Sequence, residues 1–211
     1  AFKNRCKQKK QHIKIKNRTS HRKEDSALAD NHKSYKLYPD QLTDLCISHG
    51  AVVDPEDLSY RQSKGYVTTW YVCCTHVFPN VFTFSPPAEG TFIGWYTVAA
   101  GFDGFLRWAY NSWVKEPLLD SRFRRWPAGD TYMVYPEARS SIRFERLREG
   151  IQDAEKIRIL REELHVGDST VAKEKLSLLN QTVDLFNVTE KPDNLEALMK
   201  KGKKVLEDLS R

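Results

Sequence analysis

No run of about 18 apolar residues occurs anywhere in the 211-residue chain, which excludes a membrane-spanning helix. The residues after Ala1 also lack the basic-then-apolar order of an export leader. The compartment therefore stays open, a periplasmic or secreted parent protein being one reading. Cysteine is scarce: the four present, Cys6, Cys46, Cys73 and Cys74, form no C-x-x-C pair. The adjacent two could join only through a strained ring, so free thiols are expected. Cys73, Cys74 and His76 lie close together, but no second pair at ligand spacing accompanies them, so no metal and no cofactor is expected. Also missing is an adjacent Asp and Glu at the end of an apolar strand. Glu24-Asp25 lies in a lysine-rich run, Glu56-Asp57 opens a helix, and Glu162-Glu163 falls late in another.

The net charge of +6 is unevenly spread. Residues 1–36 hold twelve Lys/Arg against three Asp/Glu, and the remainder holds 22 against 25. The basic segment could displace counterions from a nucleic acid. It lacks the interleaved aromatics that base stacking uses, so it reads as a solvated lead-in over residues 1–25, and no nucleic acid is expected as a partner.

From residue 26 the punctuation becomes regular. SALAD (26–30) is a weak strand candidate. YPDQLTDLCISHG comes next, where Asp40 can cap a helix carrying Leu42, Leu45 and Cys46 and closing at Gly50. In DPEDLSYRQSKG, Asp54 is an N-cap, Pro55 the first helical residue and Gly65 the stop. YVTTWYVCC (66–74) is rich in β-branched and aromatic residues without alternation of polarity, as in a strand covered on both faces. Ser85 then caps a helix that ends at Gly101, and Gly104 to Tyr110 reads as a further strand.

Asn111 to Ser140 is a long connection holding a short strand candidate, TYMVY. Connections of that length are usually functional. A helix over 141–165 and amphipathic helices over about 169–186 and 193–209 complete the chain, with Pro192 as a first-turn proline. Alternating strands and helices imply a parallel sheet. A full (β/α)8 barrel takes about 250 residues, so the alternating region supplies roughly three of its units. The expected fold is α/β, the C-terminal portion of a TIM-type barrel over 26–165, incomplete in this chain, followed by C-terminal helices over 166–211. A small open sheet is the alternative, though its outer strands would leave edges exposed.

Ligands of parallel barrels bind where the strands end. Asn111 and Trp113 come after the strand of GFLRWAYNSW (104–113), in which Trp108 and Tyr110 share one face, and Arg107 and Ala109 the other. An indole can cover the apolar face of a sugar while an amide bonds its hydroxyls. The same residues could equally fill a core, with Arg107 paired to a buried carboxylate.

Three segments, 66–113, PLLDSRFRRWPAGDTYMVYP and RSSIRFERLREGIQDAEKIRIL, resemble the C-terminal half of the catalytic domain of glycoside hydrolase family 123, which includes exo-acting β-N-acetylgalactosaminidases. The likeness runs from about Tyr60 to Leu164, and LADNH with LYPDQLTDLCI extends it to about residue 28. The resemblance implies a (β/α)8 barrel and retaining hydrolysis in which the sugar's own 2-acetamido oxygen attacks the anomeric carbon, an exception to the two-carboxylate scheme. It further implies a catalytic Asp-Glu pair one helix before LADNH, at or before Ala1, so that no catalytic residue is carried onto this chain. Tyr71, Trp108, Asn111 and Trp113 match the family pattern for holding an N-acetylhexosamine. Asn31 and His32 are weaker matches, and Asp130 could bond a hydroxyl or shape a turn. The implied partner is a glycan with a terminal N-acetylhexosamine. A carbohydrate-binding remnant without catalysis is the alternative.

Overall fold

The computed structural model describes residues 26–30, 34–51, 53–122 and 126–211. The basic lead-in, Asn31 and His32 lie outside them. Four strands, β1 (Ser26–Asp30), β2 (Leu42–Ser48), β3 (Val67–Val72) and β4 (Gly104–Arg107), form one sheet in the order β1-β2-β3-β4, every pair parallel. Between them run α1 (Pro55–Ser63) and α2 (Ala88–Ala99), and after β4 come α3 (Ile142–Val166), α4 (Thr170–Asp184) and α5 (Leu195–Leu209).

The helix expected over residues 40–50 is strand β2 instead. Leu42, Leu45 and Cys46 fit the three-four spacing of a helix, but Leu45 and Ile47 go to one face while Asp44 and Ser48 go to the other. Asp40 caps nothing; its carboxylate accepts the hydroxyl of Tyr60 and its backbone carbonyl that of Tyr66. The sheet thus has four strands where three units were expected. Other boundaries also move. Asp54 stands at the N-cap of α1, yet its carboxylate pairs with Lys36 and makes no capping bond. The N-cap position of α2 is Pro87, and the Ser85 hydroxyl donates to Asn80 Oδ1. Asn194, accepting from the Ala197 N–H at 2.9 Å, caps α5, which leaves Pro192 ahead of the helix. TYMVY forms no strand and takes part only in two isolated bridges, Asn111 with Tyr132 and Tyr135 with Arg139.

Register and alternation sort the side chains of the sheet into two faces. One carries Leu45, Ile47, Thr68, Trp70, Val72 and Phe105. Both α1 and α2 cover it: Arg61 of α1 donates to Thr68 Oγ1 at 2.8 Å, and the Trp70 indole donates to Thr97 Oγ1 of α2 at 2.8 Å. The opposite face carries Asp44, Cys46, Ser48, Val67, Thr69, Tyr71, Gly104 and Leu106. Val67 and Leu106 there remain 43% and 38% exposed. Among the described residues, every helix that packs on the sheet therefore lies on one side of it.

α2 is buried on all sides, every residue from Glu89 to Thr97 being inside, as expected of a helix apolar all round. It lies between the sheet and α3, crossing α3 at Gly94 and Gly150. The last two helices join the same core, for Phe186, just past α4, stacks on Trp95 of α2 at 4.3 Å. On α3, Ser141 caps the start, its hydroxyl oxygen accepting from the Phe144 N–H. Glu145 pairs with Arg148 on the same helix, and Arg146 with Glu149, which leaves these groups structural.

Candidate functional site

The carboxyl ends of β2, β3 and β4 bring together residues far apart in sequence. Ser48, Tyr71 and Leu106 are register partners, so they form one row across the open face at the last turn of the sheet. Just beyond that row stand His49, Cys73, Cys74, His76 and Trp108.

Tyr71 is half-buried, its ring meeting His76 edge-on at 6.4 Å. His76 is tied at both ends: Nδ1 faces the Cys73 N–H at 2.9 Å, and Nε2 faces the His49 carbonyl at 3.2 Å and Ser48 Oγ at 3.1 Å. His49 turns to the helical side, against Trp70 and Tyr96, with Nε2 on the Thr189 carbonyl at 3.3 Å. Burial holds its pKa down to about 4, so it is neutral at pH 7.

Strand β4 ends at Arg107, three residues earlier than expected, so the alternation of a strand no longer governs residues 108–113. Trp108 packs against Trp126 at 5.7 Å, and Tyr110 against Phe144 of α3 at 5.9 Å. Arg107 pairs with a buried carboxylate, the second of the two sequence readings. Its Nη2 lies 3.2 Å from Oδ1 of Asp130 and also donates to the Asp130 backbone carbonyl. The Trp108 indole donates to the same Oδ1 at 3.2 Å. Asp130 is fully buried, and burial pulls the Arg107 pKa down against the opposing pull of that carboxylate.

Trp113 is 40% exposed and its indole donates to the Val134 carbonyl at 2.7 Å. Asn111 is exposed beside Tyr132 in the bridge that closes the loop. Both indoles, of Trp108 and Trp113, are therefore anchored on the stretch 130–134. That stretch is held from α3, where Arg143 Nη1 donates to the carbonyls of Val81, Gly129 and Tyr132 at 2.9, 2.8 and 2.7 Å.

The sequence thus points to Tyr71, Trp108, Asn111 and Trp113, which stand at or beyond the ends of β3 and β4, while His32 lies outside the described residues. It does not point to Ser48, hidden by the helix assignment, and gives His76 no role beyond a weak metal pattern. Among the described residues, no group of three or more His, Cys, Asp or Glu side chains could hold a metal ion. Cys46, Cys73 and Cys74 are free thiols.

The family model for the glycoside hydrolase 123 catalytic domain matches residues 2–160. It reaches back to residue 2, well ahead of residue 28 where the sequence resemblance fades. No curated protein matches. Among solved structures, the chain is similar to a family 123 glycoside hydrolase from Clostridium perfringens, described in connection with glycolipid glycan hydrolysis. The identity is 24% and the TM-score 0.68, over 86% of this chain and 34% of the other, so this chain spans about a third of that protein's length.

Proposed function

Because the chain belongs to glycoside hydrolase family 123, we propose that its four strands are consecutive staves of a (β/α)8 barrel whose rim holds a terminal β-linked N-acetylgalactosamine for hydrolysis. The single observation that carries this reading is the one-sided sheet. Parallel strands in sequence order, with the helices that pack on them all on one face, suit a cylinder wound in one direction. A doubly wound sheet would place helices on both faces.

On this reading residues 26–165 are the barrel portion and 166–211 its C-terminal helices, following a basic lead-in at 1–25. Tyr71, Trp108, Asn111, Trp113 and His32 are the residues that hold the sugar. Trp108 and Trp113 offer apolar planes to its C–H face, and Asn111 bonds its hydroxyls. The reaction is substrate-assisted and retaining, the 2-acetamido oxygen acting as nucleophile. The Asp that orients this group and the Glu that protonates the leaving oxygen are not among the 211 residues. Hydrolysis then needs the rest of the barrel. The glycolipid context of the solved relative is consistent with a glycan as substrate.

The test sets the full-length protein beside this 211-residue chain on a chromogenic β-N-acetylgalactosaminide. Turnover by the full-length protein and none by the chain is expected. Turnover by the chain alone overturns the assignment of the acids elsewhere, and an inert full-length protein overturns the hydrolase reading. Sugar binding by a full-length protein without turnover would instead favour a binding remnant, for which the exposed indoles of Trp108 and Trp113 suffice.

A further inference from the structure

Ser48 and His76 come from two different strand ends, 28 residues apart, and meet at 3.1 Å on the rim. A serine beside a histidine suggests an activated nucleophile, which requires the ring nitrogen facing the hydroxyl to be unprotonated. The backbone around His76 dictates the reverse. At Nδ1 stands an N–H, that of Cys73, at 2.9 Å; it can only donate, so Nδ1 must offer a lone pair. At Nε2 stands a carbonyl, that of His49, at 3.2 Å; it can only accept, so Nε2 must carry the proton.

Two backbone groups on opposite sides of one ring therefore demand the same tautomer. In the other tautomer, two hydrogens would face each other at Nδ1 and two lone pairs at Nε2. The Cys73 carbonyl, 3.3 Å from Nδ1, is a longer contact than the amide and does not reverse the choice. The Nε2–H is shared between the His49 carbonyl and Ser48 Oγ, so Ser48 accepts from His76 and its own O–H is free to donate elsewhere.

The register decides where that O–H can go. Ser48 lies on the open face beside Tyr71, in the row that Leu106 completes at the end of the sheet. Resting on the hydrolase reading, we infer that Ser48 is a hydrogen-bond donor to the bound N-acetylhexosamine and that His76 is the positioning residue that fixes its orientation. Ser48 contacts an oxygen of the sugar, a hydroxyl or the acetamido carbonyl, next to the Tyr71 ring. It forms no covalent bond. The pair sets binding, leaving the chemical step to the family's carboxylates.

The experiment uses the full-length enzyme and a chromogenic β-N-acetylgalactosaminide. Ser48→Ala is expected to raise KM roughly three- to tenfold, the range of one lost neutral hydrogen bond, with kcat and melting temperature unchanged. His76→Leu should raise KM by a similar factor, and the double variant should be no worse than Ser48→Ala, because both act through one hydroxyl. His76→Gln, which keeps a donor and an acceptor, should recover most of the loss. Histidine 15N spectra should show His76 protonated at Nε2 and bare at Nδ1. A wild-type KM in Ser48→Ala, or a proton on Nδ1, overturns this inference while the hydrolase reading stands. A loss of kcat in Ser48→Ala by several orders of magnitude also overturns it, in favour of a chemical role for the serine. Wild-type enzyme inert on the substrate overturns the hydrolase reading, and this inference with it.

Discussion

Gly94 of α2 and Gly150 of α3 approach so closely that a β-carbon added to Gly94 would lie 2.0 Å from the Gly150 carbonyl oxygen. The obstacle is backbone on both sides, so no side-chain rotation can relieve it. A β-carbon on Gly150 meets the Thr91 carbonyl oxygen at 2.5 Å in the same way.

Gly94→Ala should therefore force the two helices apart and destabilise the protein by about 3 kcal/mol, the upper part of the overpacking range. For a chain of this size that lowers Tm by roughly 6–12 °C. Differential scanning calorimetry checks it, and an unchanged Tm would mean that α2 and α3 can slide without loss.

His49 should make stability pH-dependent. Burial lowers its folded pKa to about 4 from an ordinary 6.5, so between these values the unfolded chain takes up a proton that the folded chain refuses. Stability is full above pH 6.5, falls as pH drops towards 4, and the loss is on the order of 3 kcal/mol. Urea unfolding of the wild type and His49→Gln across that window measures it. The variant should show a flatter profile, and equal slopes would remove His49 as the cause.

Asp130 neutralises a buried guanidinium and orients an indole with one carboxylate. Asp130→Ala strands Arg107 without a counter-charge and should cost about 3–5 kcal/mol. Asp130→Asn keeps an acceptor for Trp108 and should cost less, while Arg107→Met combined with Asp130→Ala should recover part of the loss. Denaturant titration of the three variants gives the order, and identical losses in Ala and Asn would show that the acceptor for Trp108 adds nothing beyond the lost charge.

Trp108→Ala in the full-length protein should weaken N-acetylgalactosamine binding roughly three- to tenfold, the range for an aromatic contact beyond simple burial. Isothermal titration is the measurement, with Trp126→Ala as the comparison because that ring supports Trp108 from the side. Unaltered affinity in Trp108→Ala would take this indole out of the binding site.

The alternation of strands and helices was legible because proline and glycine mark the ends of α1 and β-branched residues crowd β3. Strand β2 was not, since seven residues with apolar groups at 42, 45, 46 and 47 satisfy a helical and an extended pattern equally. Only pairing with β1 and β3 decides it. At the rim, the aromatic residues could be found because indoles near a strand end are conspicuous. The Arg107 to Asp130 pair was half visible, as an arginine in an apolar run must find a carboxylate, but the run does not say which. Ser48 carried no signal and His76 only a weak metal pattern, for their partnership depends on two backbone groups whose positions exist only once the strands are aligned.

The match of the family model ends at residue 160, partway along α3, while the aromatic stack between Trp95 and Phe186 reaches well past it. An edge of homology is here no seam in the material. A truncation placed at that edge would strip the outer wall from the most deeply enclosed helix and leave a tryptophan facing water, so the last 51 residues are ballast that keeps the rim's foundation upright.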